Sequence, residues 1–135
     1  MDTPARPDLH HVLRQTLAEH GGVRLAILFG SHATGRATPH SDVDLAIQMS
    51  AKLTASDKIA LIEKLAQATG LPIDLIDPRR AGEPLLGQIL KRGIRLMGSD
   101  TDYAALLSRH LFDAADFLPY RNRILAERRR AWIGR

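Results

Sequence analysis

Gly30-Ser31-His32-Ala33-Thr34-Gly35-Arg36-Ala37-Thr38-Pro39-His40-Ser41-Asp42-Val43-Asp44-Leu45 is the stretch from which the rest of this chain is best understood. Just upstream, Val23 to Phe29 is a short apolar run ended by Gly30, the pattern of a buried strand. Ser31 then opens a helical turn, so backbone N–H groups and a hydroxyl face whatever lies beyond the strand end, a geometry suited to phosphate. After the polar stretch Ser31 to Ser41, the residues Asp42 to Ile47 predict a second strand. Residues two apart on a strand share a face, so Asp42 and Asp44 present both carboxylates on one side while Val43, Leu45 and Ile47 turn to the other. Two anions held side by side repel unless a cation lies between them. Mg²⁺ prefers oxygen ligands and bridges carboxylates to phosphates, which makes it the ion this pair calls for.

A third carboxylate on the same face would complete a two-metal site, in which one ion activates an attacking hydroxyl and the other steadies phosphates and leaving group. Asp74 is the best candidate. It lies in the short apolar run Leu71-Pro72-Ile73-Asp74-Leu75-Ile76-Asp77-Pro78, bracketed by prolines, where an unpartnered carboxylate is costly to bury. Asp77 competes for the role, but it stands in the opposite strand phase beside Pro78 and reads as a turn-forming residue.

The remaining elements follow from periodicity and punctuation. Asp8 is placed to cap a helix from about Leu9 to His20, with Val12, Leu13 and Leu17 at helical spacing and Gly21-Gly22 as its stop. Thr54 or Ser56 caps a second helix, carrying Ile59, Ile62, Leu65 and Ala66 and stopped by Gly70. Glu83 to Lys91 reads as a turn or two of helix, Arg95-Leu96-Met97 as an edge strand, and Tyr103, Leu106, Leu107, Leu111, Ala114, Phe117 and Leu118 as the apolar stripe of a long closing helix, with Pro119 a kink or break. The fold class is therefore α+β (α/β), a small mixed β-sheet flanked by helices with a long C-terminal helix.

Composition bounds the answer. The 135 residues suit a single domain, 1–135, whose core must be aliphatic, since hydrophobic residues are 44% and aromatics 4%. There is no cysteine, which removes disulfides, thiolate nucleophiles and cysteine-ligated metal centres. The six histidines show no spacing that calls for zinc. No apolar run reaches a membrane span and the first residues lack the apolar core of a signal peptide, so the expected compartment is the cytoplasm, with no membrane partner. Residues 1–120 hold thirteen Lys/Arg against fourteen Asp/Glu, whereas 121–135 hold six Arg against one Glu. The excess positive charge is thus a basic C-terminal tail, 121–135, either a solvated helix end or a docking surface with Trp132 and Ile133 interleaved.

Gly-Ser, ten residues, Asp-x-Asp and an aliphatic, followed by an apolar-Asp-apolar strand, resembles the DNA polymerase β-like nucleotidyltransferase superfamily. The chain from about residue 9 to 118 resembles its smallest branch, the minimal nucleotidyltransferase (MNT) antitoxins found beside HEPN-type toxins. The resemblance implies a short mixed sheet flanked by helices. It further implies that Gly30 and Ser31 bind the nucleotide triphosphate, that Asp42 and Asp44 hold two Mg²⁺ ions, and that Asp74 completes the metal site and helps deprotonate the acceptor hydroxyl. The implied reaction is transfer of AMP from ATP to a tyrosine of a cognate HEPN ribonuclease toxin, with release of pyrophosphate. The pattern departs at Thr34, where relatives carry Arg; Gly35 is retained and Arg36 is the nearby positive charge.

Two other readings of the same residues remain. One is an antitoxin that binds and occludes its toxin without catalysis, against which the intact acidic triad argues. The other is a small nucleotidyltransferase acting on RNA through the basic tail; with a single aromatic, Trp132, that tail is a thin platform for base stacking, so direct nucleic-acid binding is not expected.

Overall fold

A computed structural model describes residues 8–113. Its elements run α1 (Leu9–His20), β1 (Val23–Phe29), α2 (Ser31–Thr34), β2 (Val43–Met49), α3 (Ala55–Thr69), β3 (Ile73–Ile76), α4 (Leu85–Arg92) and β4 (Ile94–Gly98). Residues 100–113, here α5, are helical. The strands form one sheet in the order β3-β2-β1-β4, with β1 antiparallel to both β2 and β4, and β2 parallel to β3. A parallel pair needs a crossover, and α3 supplies it.

The continuous apolar run of β1 is explained by its position. As a central strand it is buried on both faces, so Leu25 and Ile27 enter one core while Ala26 and Leu28 enter the other. The first core lies under α1 and α3 and takes Leu13, Leu17, Val43, Leu45, Ile47, Leu61, Leu65 and Leu75. The second, under α4 and α5, takes Ala46, Leu86, Ile89, Leu90 and Leu106. The alternation along β2 therefore points Val43, Leu45 and Ile47 to the first core and leaves Asp44 on the opposite face, as the sequence pattern requires.

The helix boundaries have local causes. Thr54 caps α3 by accepting a hydrogen bond from the Asp57 backbone N–H at 3.1 Å, and Gly70 ends the helix in the left-handed conformation. Asp8 does sit at the start of α1, but its side chain makes no capping bond; the turn is closed by its backbone carbonyl, which accepts from Val12 N–H. Ladder pairing of β2 starts at Val43, one residue later than the pattern suggests, which leaves Asp42 at the strand entrance. The expected positions Ala114, Phe117, Leu118 and Pro119 and the basic tail lie outside the described residues.

Candidate active site

The site is built where β1, β2 and β3 end side by side. Asp44 is directly opposite Phe29 on one side and Asp74 on the other. In-register neighbours on adjacent strands point the same way, so the carboxylates of Asp44 and Asp74 share one face and act on each other's charge. Asp42, exposed at the entrance to β2, stands close enough to Asp44 to act on its charge. Asp74, on the edge strand, is exposed. The Asp44 carboxyl is held above its ordinary value of 3.8, first by burial, then by the negative charges of Asp74 and Asp42 and by the hydrogen bond with Asp74, with His32 pulling the other way. A cation between these groups removes that repulsion.

Gly30 is required by the same packing. Its φ is +75°, and a Cβ there would lie 2.1 Å from the Asp44 Oδ2 atom, so the strand end can pass the carboxylate only as glycine. Ser31 begins the single turn α2, which is closed by Ala33 and Thr34 N–H groups donating to the Gly30 carbonyl. The loop that follows is pinned back on the site: Ser41 N–H donates to the Thr38 carbonyl, Thr38 N–H donates to Ser41 Oγ, and His32 Nε2 lies 3.0 Å from the Ser41 carbonyl oxygen. These contacts fix the residue just before Asp42.

Sequence reasoning thus named Gly30, Ser31, Asp42, Asp44 and Asp74, and the fold brings all five to one corner of the sheet. Asp77 is a turn residue, its Oδ1 accepting from Arg79 N–H at 2.9 Å. Among the described residues no group of three or more His, Asp or Glu side chains is arranged to hold a metal ion. His32 went unassigned in the sequence, and its role depends on folding of the loop onto Ser41. A recess of about 690 Å³ also opens beside Gly30 and Ser31, lined as well by Arg36 and by Gln88, Lys91 and Arg92 of α4. The α4 cations carry no sequence signal, because basic residues in a helix's last turn are ordinary.

A family model described as polymerase beta, nucleotidyltransferase matches residues 12–102. The protein adenylyltransferase MntA of Shewanella oneidensis is 34% identical over 80 residues, which are 59% of this chain and 58% of that protein. The alignment thus spans little more than half the length of that relative. Among solved structures, a toxin–antitoxin crystal structure with AMP-PNP has a chain 25% identical, with a TM-score of 0.75 over 87% of this chain and 96% of that one. A chain of tri-AMPylated Shewanella oneidensis HEPN toxin in complex with MNT antitoxin superposes with a TM-score of 0.69 at 23% identity, covering 88% of this chain and 94% of that one, a likeness of fold.

Proposed function

The chain belongs to the polymerase beta nucleotidyltransferase family, and from that membership we propose that it is an antitoxin which transfers AMP from ATP to a tyrosine of a cognate HEPN ribonuclease toxin. The similarity to a protein adenylyltransferase and to a toxin–antitoxin structure with AMP-PNP supports this choice of nucleotide and acceptor. The observation that carries it is the in-register stacking of Asp44 on Asp74, with Asp42 beside them and Gly30 packed against the Asp44 carboxylate.

In this reading Asp42 and Asp44 would hold two Mg²⁺ ions, with Asp74 completing the set. The ions, when bound, lower the acceptor's pKa and neutralise charge on the phosphates. Gly30 and Ser31 bind the triphosphate at the end of β1. The tyrosine Oη attacks the α-phosphorus, a new O–P bond forms, the bond to the bridging oxygen breaks, pyrophosphate leaves, and the phenolic proton passes to the exposed carboxylate of Asp74. In this reading the protein acts in the cytoplasm as one nucleotidyltransferase domain, 1–135. Among the described residues no helix is long and apolar enough to cross a membrane.

The test is to incubate the protein with Mg²⁺, α-labelled ATP and the product of the neighbouring gene, and to record the intact mass of that partner. Gain of whole AMP units with the wild type, lost with Asp42→Asn, is the expected result. A stable complex without mass change would mean inhibition by occlusion. Neither complex nor modification would turn the search to RNA.

A further inference from the structure

The acidic corner poses an electrostatic problem for a polyphosphate substrate. Three carboxylates crowd one side of Gly30, and a nucleoside triphosphate must approach within a few ångströms of them, well inside the screening length of roughly 8–10 Å at physiological salt. Compensating positive charge is therefore expected close to Gly30. The recess lining supplies it: we propose that Lys91 and Arg92 of α4, together with Arg36, hold the β- and γ-phosphates of the nucleotide in the recess beside Gly30 and Ser31.

Three observations support the assignment. First, Arg36, Lys91 and Arg92 all line the one recess that also contains Gly30 and Ser31. They come from positions some 55 residues apart in the chain and are brought together only by packing of α4 over the second core. Second, α4 turns Leu86, Gly87, Ile89 and Leu90 into the core, so its outer face is the one carrying Gln88, Lys91 and Arg92 along the recess. Third, none of the three cations makes an ion pair among the described residues, whereas Arg24, Arg95 and Arg109 do. The recess, at about 690 Å³, is large enough for the phosphate chain of a nucleotide. Guanidinium groups match phosphate oxygens in bidentate geometry, and an ammonium adds a mobile point charge. These are substrate-positioning residues of the nucleotidyl-transfer reading above, and the assignment rests on that reading.

Basic residues in a helix's last turn also complement its dipole, a role that would alter melting temperature and leave nucleotide affinity untouched. The experiment separates the two roles. Equilibrium binding of AMP-PNP and of AMP, each with Mg²⁺, is measured for the full chain, for Lys91→Gln/Arg92→Gln, for Arg36→Gln, and for the conservative Arg92→Lys. AMP lacks the β- and γ-phosphates and serves as the internal control. The expected result is that AMP-PNP binding weakens by roughly tenfold for each cation removed while AMP binding is unchanged, with partial recovery in Arg92→Lys. In transfer assays KM for ATP rises far more than kcat falls. Unchanged AMP-PNP affinity in the folded variants, or equal losses for AMP and AMP-PNP, would overturn the assignment. Should α4 not tolerate the double change, Arg36→Gln, on the loop, decides alone. A wild-type protein that binds neither nucleotide would instead remove the nucleotidyl-transfer reading itself.

Discussion

The acidic cluster and the recess, both of which border Gly30, are built in opposite ways. On the carboxylate side, Asp44 is half-buried on an interior strand, locked in register between Phe29 and Asp74, with its ionised form disfavoured by its surroundings. On the recess side, Arg36 sits in a loop and Lys91 and Arg92 at a helix end, all three exposed. The strands hold the acidic groups in place before any ligand arrives, at the cost of repulsion, while the cations keep side-chain freedom until phosphate orders them. The contrast assigns different work to the two sides: placement of reacting atoms on the first, capture of the polyphosphate on the second.

The largest effect is therefore expected from the strand carboxylate. Asp44→Asn should lower the AMP-transfer rate by roughly a hundredfold to a thousandfold, the scale seen when one preorganised electrostatic group is removed, with the circular dichroism spectrum retained. A variant that keeps a tenth of the wild-type rate would show that the carboxylate side is not where reacting atoms are placed. Next comes Gly30→Ala, which tests whether the two sides depend on one backbone position. The new Cβ meets Asp44 Oδ2 at 2.1 Å and the φ of +75° is itself strained for alanine, by about 1–2 kcal/mol. Thermal unfolding should report the strain, and activity should fall further than stability does, because the carboxylate must move away. Equal activity at lower Tm would mean that Asp44 tolerates displacement.

Smaller again is the effect of His32, which belongs to neither side but ties the loop between them. His32→Ala removes the contact to the Ser41 carbonyl and the favourable charge near Asp44. A drop of about tenfold in transfer rate is expected, the worth of one hydrogen bond of about 1–1.5 kcal/mol, with the fold intact. Initial rates at saturating ATP would show it, and an unchanged rate would make the loop self-sufficient through Thr38 and Ser41.

What could be read in advance follows the same division. The β1 run, the Thr54 cap and the Gly70 stop are local patterns whose physical causes lie within a few residues, and each stands where the sequence placed it, whereas Asp42, expected on the strand with Asp44, stands just before β2. Asp74 was legible because a lone acid in an apolar strand needs a reason, though only the parallel pairing of β2 with β3 reveals that Asp44 is the reason. Lys91 and Arg92 were not legible, since nothing near them in the chain distinguishes a phosphate ligand from a helix-end base; the meaning comes from the recess that α4 forms against Gly30. The same holds for His110, which pairs with Glu83, and for Arg109, whose guanidinium donates to the carbonyls of Pro78, Arg79 and Ala81 and fastens α5 to the loop before α4.

The smallest effect concerns stability, and it probes the repulsion directly. The native protein holds the Asp44 proton more tightly than the unfolded chain does, because burial and the Asp74 and Asp42 charges raise its pKa above 3.8. In the metal-free protein this carboxyl therefore costs no stability below 3.8, where both states are protonated. The cost develops as pH climbs from there through the raised native value, and it is complete above that value. Asp44→Asn should thus melt higher than the wild type at pH 7 in chelator, by a few degrees at most because the group is only half-buried and solvent screens it. The difference should close on acidification toward 3.8. Added Mg²⁺ should then raise the wild-type Tm and not that of the variant, since only the wild type gains a ligand-linked stabilisation. Melting curves that show the wild type more stable than Asp44→Asn at pH 7 without divalent ions would mean that hydrogen bonding within the carboxylate cluster outweighs its repulsion, and the acidic side would no longer be a strained, preorganised one.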